Sequence, residues 1–470
     1  MPFHWTSLFR RRVSNNFSLV RKTRTTQENT YRRFLSAFLL AGALLAGESS
    51  GIFRLSPAWA GAPTGTVSSP VSALTLDQAI RLGLARNPGL QQDRARIARD
   101  QARFVQAGEL KDPMLVVGEQ YFPINFNMGA SVLTMTTVGI RQDLQPWGKR
   151  ALLRQSAVHE EKAAHWNLED KKALLVRNIR IAWLDLYQAK QEEGILRSIG
   201  ALWEKAFQAA LGRYRQGSVE ESDALLAQYQ KDAIRDKMEQ LRIREEKSLY
   251  RLMNLLHVNR RFRISLEEPH FPDPLPESVL LKRINHHPAI ESGVSQDNAQ
   301  KFRVRSAEKD KIPAVSVEGD YSYFMGPNLI TSTPNLYSVL LSFNLPVRPG
   351  ERQDQKVAEE EDTLNILEAD LETKRQRFIE EIRDSEGYYR HLLSRAAILE
   401  RVLIPEAKRN EEAALAGYAT GTLEMGRVLS SMEKIQNVKL KALSVRVDRL
   451  KTSAELAYLS GILQGGHHEP

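Results

Sequence analysis

The sequence predicts a mainly α-helical protein with a membrane β-barrel, built from two structural repeats that each run helix, β-hairpin, very long helix, turn and helix. Three observations predict it. The first is a duplication: GRYRQGSVEESDALLAQ from Gly212 returns as AGYATGTLEMGRVLSSM from Ala416, with Tyr214/Tyr418, Gly217/Gly421, Glu220/Glu424 and Leu225/Leu429 in register. Upstream, Pro88/Pro288, Pro113/Pro313 and Tyr121/Tyr321 recur at an offset of 200. A unit of that size exceeds solenoid repeats of roughly 20 to 50 residues, so it reads as two copies of one large supersecondary unit. The second is a proline-free stretch from Lys149 to Arg215, matched by Glu351 to Tyr418 with Pro405 as its one breaker. The third is two pairs of alternating segments at matching places in the halves.

Bulk properties narrow the functional classes. The chain has 470 residues and a formal charge of +9, but residues 1–60 carry nine Lys or Arg against Glu28 and Glu48, which leaves +2 for the rest. A nucleic-acid partner is therefore not expected. The absence of cysteine excludes disulfides, thiolate metal sites and a Cys nucleophile. No Ser/His/Asp constellation, glycine-rich phosphate loop or HExxH motif is present, so neither an enzyme nor a cofactor is expected. His286-His287 and His467-His468 are adjacent pairs without a convincing ligand set, placed in a loop and a tail, and no metal site is assigned.

Residues 1–60 have the layout of a secretory signal peptide: Arg32-Arg33, the apolar run Phe34 to Ala46, then Ala58-Trp59-Ala60 as a small-x-small cleavage site. An uncleaved anchor or a mispredicted start is the alternative. Residues 61–73 form a flexible linker. Repeat one covers 74–265, with strands at about 113–122 and 132–145, joined by a loop from Pro123 to Ser131. Residues 266–276 form a strap with four prolines, which cannot be helical. Repeat two covers 277–464, with strands at about 313–324 and 334–346 joined by a loop from Met325 to Thr333, and 465–470 is a tail.

In repeat two Val315, Val317, Gly319, Tyr321 and Tyr323 alternate with Ser316, Glu318, Asp320 and Ser322. The partner strand alternates Tyr337, Val339, Leu341, Phe343 and Leu345 with Leu336, Ser338, Leu340, Ser342 and Asn344. Repeat one sets Arg141 and Asp143 against Val138, Ile140 and Leu144. Ten-residue strands with one apolar and one polar face suit an outer-membrane barrel, because lipid satisfies no backbone group and only closure removes every edge. A half-buried soluble hairpin shows the same alternation. Four strands cannot close a membrane barrel, whose smallest examples have about eight, so the barrel reading requires an oligomer.

The long helices, about 100 Å each at ~1.5 Å per residue, must bury an apolar stripe on neighbours, as in a coiled coil. Taken alone they fit a secreted or periplasmic coiled-coil scaffold or adaptor equally well. The signal sequence and the matched strand pairs are what that alternative leaves unexplained.

Taken in order and in duplicate, LTLDQAIRLGLARNP from Leu74, the hairpin-opening Pro113 and Pro313, the strand exits QDLQPWGKR from Gln142 and FNLPVRPGER from Phe343, and the turns GRYRQGS and AGYATGT resemble the TolC family of outer-membrane efflux ducts. The likeness spans residues 74 to 464, and the QPWGKR segment is similar to the family's heavy-metal branch. The resemblance implies a homotrimer whose twelve strands form one barrel in the outer membrane, continued by a periplasmic α-helical barrel. It implies as partners outer-membrane lipid, a periplasmic adaptor and an inner-membrane pump of the resistance-nodulation-division type. It places the turns around Tyr214, Gly217, Tyr418 and Gly421 where the adaptor docks. Aperture positions would be Asp223, Arg427 and Ser430, with Glu220 and Glu424 beside them; Arg427 and Ser430 depart from the family's acidic pattern. Arg141, Asp143, Glu318 and Asp320 would face the barrel lumen, and Tyr321, Tyr323, Val339, Leu341 and Phe343 the lipid.

Overall fold

The computed structural model describes residues 73–122, 124, 133–216, 221–324 and 335–461. The signal peptide, nearly all of the linker, almost all of both hairpin loops, Gly217, Glu220 and the tail lie outside the described residues. Two short helices, α1 (Leu76–Arg86) and α2 (Pro88–Ala107), precede strands β1 (Met114–Gln120) and β2 (Met135–Leu144), then α3 (Lys149–Arg215) and α4 (Glu221–Leu256). After the strap come α5 (Glu277–Arg283), α6 (Pro288–Glu308), β3 (Ala314–Phe324), β4 (Leu336–Asn344), α7 (Gln353–Ile398), α8 (Ile404–Ala419) and α9 (Met425–Leu459).

Local chemistry accounts for the boundaries. Thr75 and Gln78 form a reciprocal capping box that starts α1. Pro88 and Pro288 occupy first helical positions, where the missing N–H would have no partner. The residue before each accepts the amide after it: Asn87 Oδ1 from Gly89 at 2.9 Å, His287 Nδ1 from Ala289 at 3.2 Å. His287 is therefore a buried helix cap and not a loop histidine. Its Nε2 lies 3.1 Å from the Tyr458 carbonyl and, with Nδ1 accepting, carries the proton and donates it.

The segment that leads from α4 into the strap is held to the start of α1 by a parallel bridge, the Leu74 amide donating to Arg263 at 2.8 Å and the Ser265 amide to Leu74 at 2.9 Å. Helix α3 is unbroken over 67 residues. Pro405 does not end its counterpart. A π-helical turn, Leu399–Leu403, lies directly before α8 and lets the helix continue past a residue that lacks an N–H and crowds the preceding turn.

Near the sheet α3 lies between α2 and α6, and α6 packs on α7; away from it α3 lies between α4 and α9, and α9 packs on α8. The apolar interior is accordingly drawn out along the rods. One cluster surrounds Trp183, another Trp203, and a third Leu280 and Phe378. Among the described residues no helix is long and apolar enough to cross a membrane.

Candidate functional site

All four strands form one antiparallel sheet in the order β1-β2-β3-β4, so the two hairpins are zipped together through β2 and β3. Register decides the faces. Val117 pairs with Val138, Val138 with Tyr321 and Tyr321 with Tyr337; Leu115 pairs with Ile140, Ile140 with Gly319 and Gly319 with Val339. Tyr321, Tyr323, Val339, Leu341 and Phe343 thus fall on one face with apolar residues of the first hairpin. That face is uncovered: Ile140 is 60% exposed, Val339 78% and Tyr337 83%.

The opposite face brings Arg141, Asp143, Glu318 and Asp320 together. Arg141 pairs with Glu318 in register, Asp143 with Ser316, and Gly139 with Asp320. The Arg141 guanidinium lies 3.6 Å from Asp143 and 4.0 Å from Glu318, and the Ser316 hydroxyl donates to Asp143 at 2.9 Å. Nearer the loop ends the Thr137 and Ser322 hydroxyls are 2.9 Å apart and buried. A side chain on Gly139 would meet Asp320 Oδ1 at 1.8 Å, so this strand glycine makes room for the carboxylate. The sequence signal for this role is a glycine inside an otherwise alternating strand.

At the far end of the rods the second turn is a Schellman motif. Gly421 has φ 77°; its amide donates to Tyr418 at 3.1 Å, and that of Thr422 to Gly417 at 2.9 Å. Leu423 folds back onto Gly417, where a Cβ would lie 2.6 Å from its Cδ1. Tyr418 packs against the Trp203 cluster, whereas Tyr214 is exposed. Met425, Val428 and Leu429 bury the inner face of α9 and leave Arg427 and Ser430 exposed, with Glu424 exposed just before the helix. Asp223 lies in the first turn of α4.

The structure thus sets an exposed apolar sheet face, backed by a charged one, on helices that reach about 100 Å. The chain has the fold of the TolC-family outer-membrane efflux channels. It is similar to the outer-membrane channel OprN, at 18% identity and TM-score 0.71 over 83% of this chain and 90% of that one. It is similar to the outer membrane protein VceC of Vibrio cholerae, at 16% identity and TM-score 0.69 over 82% and 96%. It is also similar to the open state of the Neisseria gonorrhoeae MtrE outer membrane channel, at 14% identity and TM-score 0.69 over 82% and 88%. No protein-family model and no curated protein matches the sequence.

Proposed function

We propose that this protein is the outer-membrane exit duct of a tripartite efflux system, passively conducting small molecules or ions from an inner-membrane pump and periplasmic adaptor to the exterior. The observation that carries the reading is the two-faced sheet with both edges open. Strands β1 and β4 each present an unpaired row of backbone groups, which cannot persist in lipid. Pairing the β4 edge of one copy with the β1 edge of the next is a head-to-tail contact that closes as a ring. Three copies of a duplicated two-hairpin unit supply twelve strands, enough for a membrane barrel where four are too few. The polar face then lines the bore and the apolar face meets lipid.

The helices support the same closure. Leu225, Tyr229, Ile243 and Tyr250 lie exposed along α4, and Ile398, Val402 and Leu415 along the α7–α8 rod. Within one chain α4 packs chiefly on α3, and the α7–α8 rod on α6 and α9. Around a trimer the α4 margin meets the α7–α8 margin of the next copy and continues the helical wall through the periplasm. The turns at Tyr214 and Tyr418 then form the inner end, where adaptor and a pump of the resistance-nodulation-division type dock. Asp223 and Arg427, with Glu220, Glu424 and Ser430 near them, form the closed-state latch. A soluble scaffold would leave the apolar face of the sheet in water, which soluble monomers avoid.

Cell fractionation and detergent extraction test the reading. The duct partitions with the outer membrane, runs as a heat-labile trimer and conducts in planar bilayers. Recovery as a detergent-free monomer from the periplasm refutes it. Within the same assay Asp223→Ala or Arg427→Ala raises the open fraction, and unchanged gating in both removes the latch.

A further inference from the structure

The polar face of the sheet runs down into a cavity of about 540 Å³ where strands give way to helices. Five cations and two carboxylates line it. Two of the cations are compensated: Lys149 pairs with Asp310, and Arg141 is shared by Asp143 and Glu318. Among the described residues the other three, Lys111, Arg352 and Lys356, make no ion pair, and all three are exposed. The acids nearest in sequence to the last two are engaged elsewhere, Glu351 with Arg348 and Asp354 with Lys311. Asp112, next to Lys111 in the chain, does not line the cavity. When Glu318 and Asp320 higher on the same face are included, the positive excess persists and stays concentrated at the cavity.

Backbone electrostatics add to it. The N-termini of α3 and α7, at Lys149 and Gln353, both open on this cavity, and a helix N-terminus carries about half a positive charge. Acidic residues are favoured there, yet α3 has none in its first turn and opens with Lys149-Arg150. α7 does carry an acid there, Asp354, which pairs with Lys311; the rule is broken at α3, where Lys149 and Arg150 meet a dipole that is already positive, and a local rule broken at such a spot points to a functional demand.

We propose that this junction is an electropositive collar that makes the duct favour anionic solutes, with Lys111, Arg352 and Lys356 setting the charge class of the cargo. The inference rests on the trimeric-duct reading, in which each of the three cations is repeated around one bore. At 0.1 M salt charges act over about 10 Å, so the local excess governs which ions enter the cavity.

Reversal potentials of the purified trimer in a planar bilayer under a potassium chloride gradient test the collar. The chloride-to-potassium permeability ratio is expected above one. It falls roughly sevenfold in the Lys111→Gln/Arg352→Gln/Lys356→Gln variant, the change expected from removing a potential of about one kT that acts on chloride and potassium in opposite senses. Trimer mobility on native gels checks assembly, and Lys356→Gln alone shifts the ratio in the same direction by less. A wild-type ratio at or below one, or a ratio that the assembled variants leave unchanged, overturns the collar and leaves the duct standing. A trimer that conducts no ions overturns both.

Discussion

Ring closure makes a prediction that geometry settles. Within one chain β1 and β4 are separated by two strands, hence by three inter-strand steps of about 4.8 Å, or roughly 14 Å. A disulfide needs Cα atoms within about 7 Å. A bond between a cysteine on β1 and one on β4 is therefore possible only between chains, and the native sequence contributes no cysteine of its own. Val116 shares the polar face with Leu336, Ser338, Leu340, Ser342 and Asn344, as the register requires. Val116→Cys is combined in turn with cysteine at each of those five positions, because the stagger between neighbouring sheets selects the partner. After mild oxidation of isolated membranes, at least one double variant runs as covalent dimer and trimer on denaturing gels and returns to monomer with reductant. Each single-cysteine variant stays monomeric. If every double variant inserts and folds yet remains monomeric, the β4-to-β1 seam does not exist.

The two faces of β4 predict opposite tolerance at adjacent residues: Val339→Arg places a cation against lipid at a cost of about 2–4 kcal/mol near the midplane and lowers trimer yield in the membrane, whereas Ser338→Arg does not. Equal yields would contradict the assignment of faces. Gly421→Ala forces a Cβ into left-handed backbone, costing about 1–2 kcal/mol, and lowers the temperature at which the trimer dissociates. His287 predicts a pH dependence, since burial holds its imidazole below the ordinary value of 6.5. The unfolded chain takes up this proton first as pH falls, so stability is level above about pH 7, declines below 6.5 and levels again under the folded value. His287→Ala lowers the thermal midpoint at pH 8 through loss of the cap, about 0.5–2 kcal/mol, and removes this part of the acid dependence. A midpoint in the wild type that is equal at pH 8 and pH 5 would show that His287 does not limit stability.

The features legible in the amino-acid order alone are local. Proline's missing N–H needs no partner to act, so the proline strap and the unbroken, proline-free run of α3 were legible, whereas the single helix expected ahead of the first hairpin is two, α1 and α2, divided before Pro88. The period of two in β3 and β4 and the glycine that reverses the second turn are equally short-range, because a few residues' own dihedral preferences and side-chain alternation specify them. Tertiary structure decided the rest. Which hairpins pair, and hence that Arg141 meets Glu318, follows from β2 and β3 zipping together across some 175 residues of sequence. His287 caps α6 against the Tyr458 carbonyl of α9, which no neighbour in sequence reveals, and a π turn lets the helix run on past Pro405. The room at Gly139 exists only because Asp320 leans into it, and Lys111, Arg352 and Lys356 share one cavity only after both halves fold onto the same sheet end. Such contacts depend on loop closure and packing between distant segments, which no periodicity in a short window encodes.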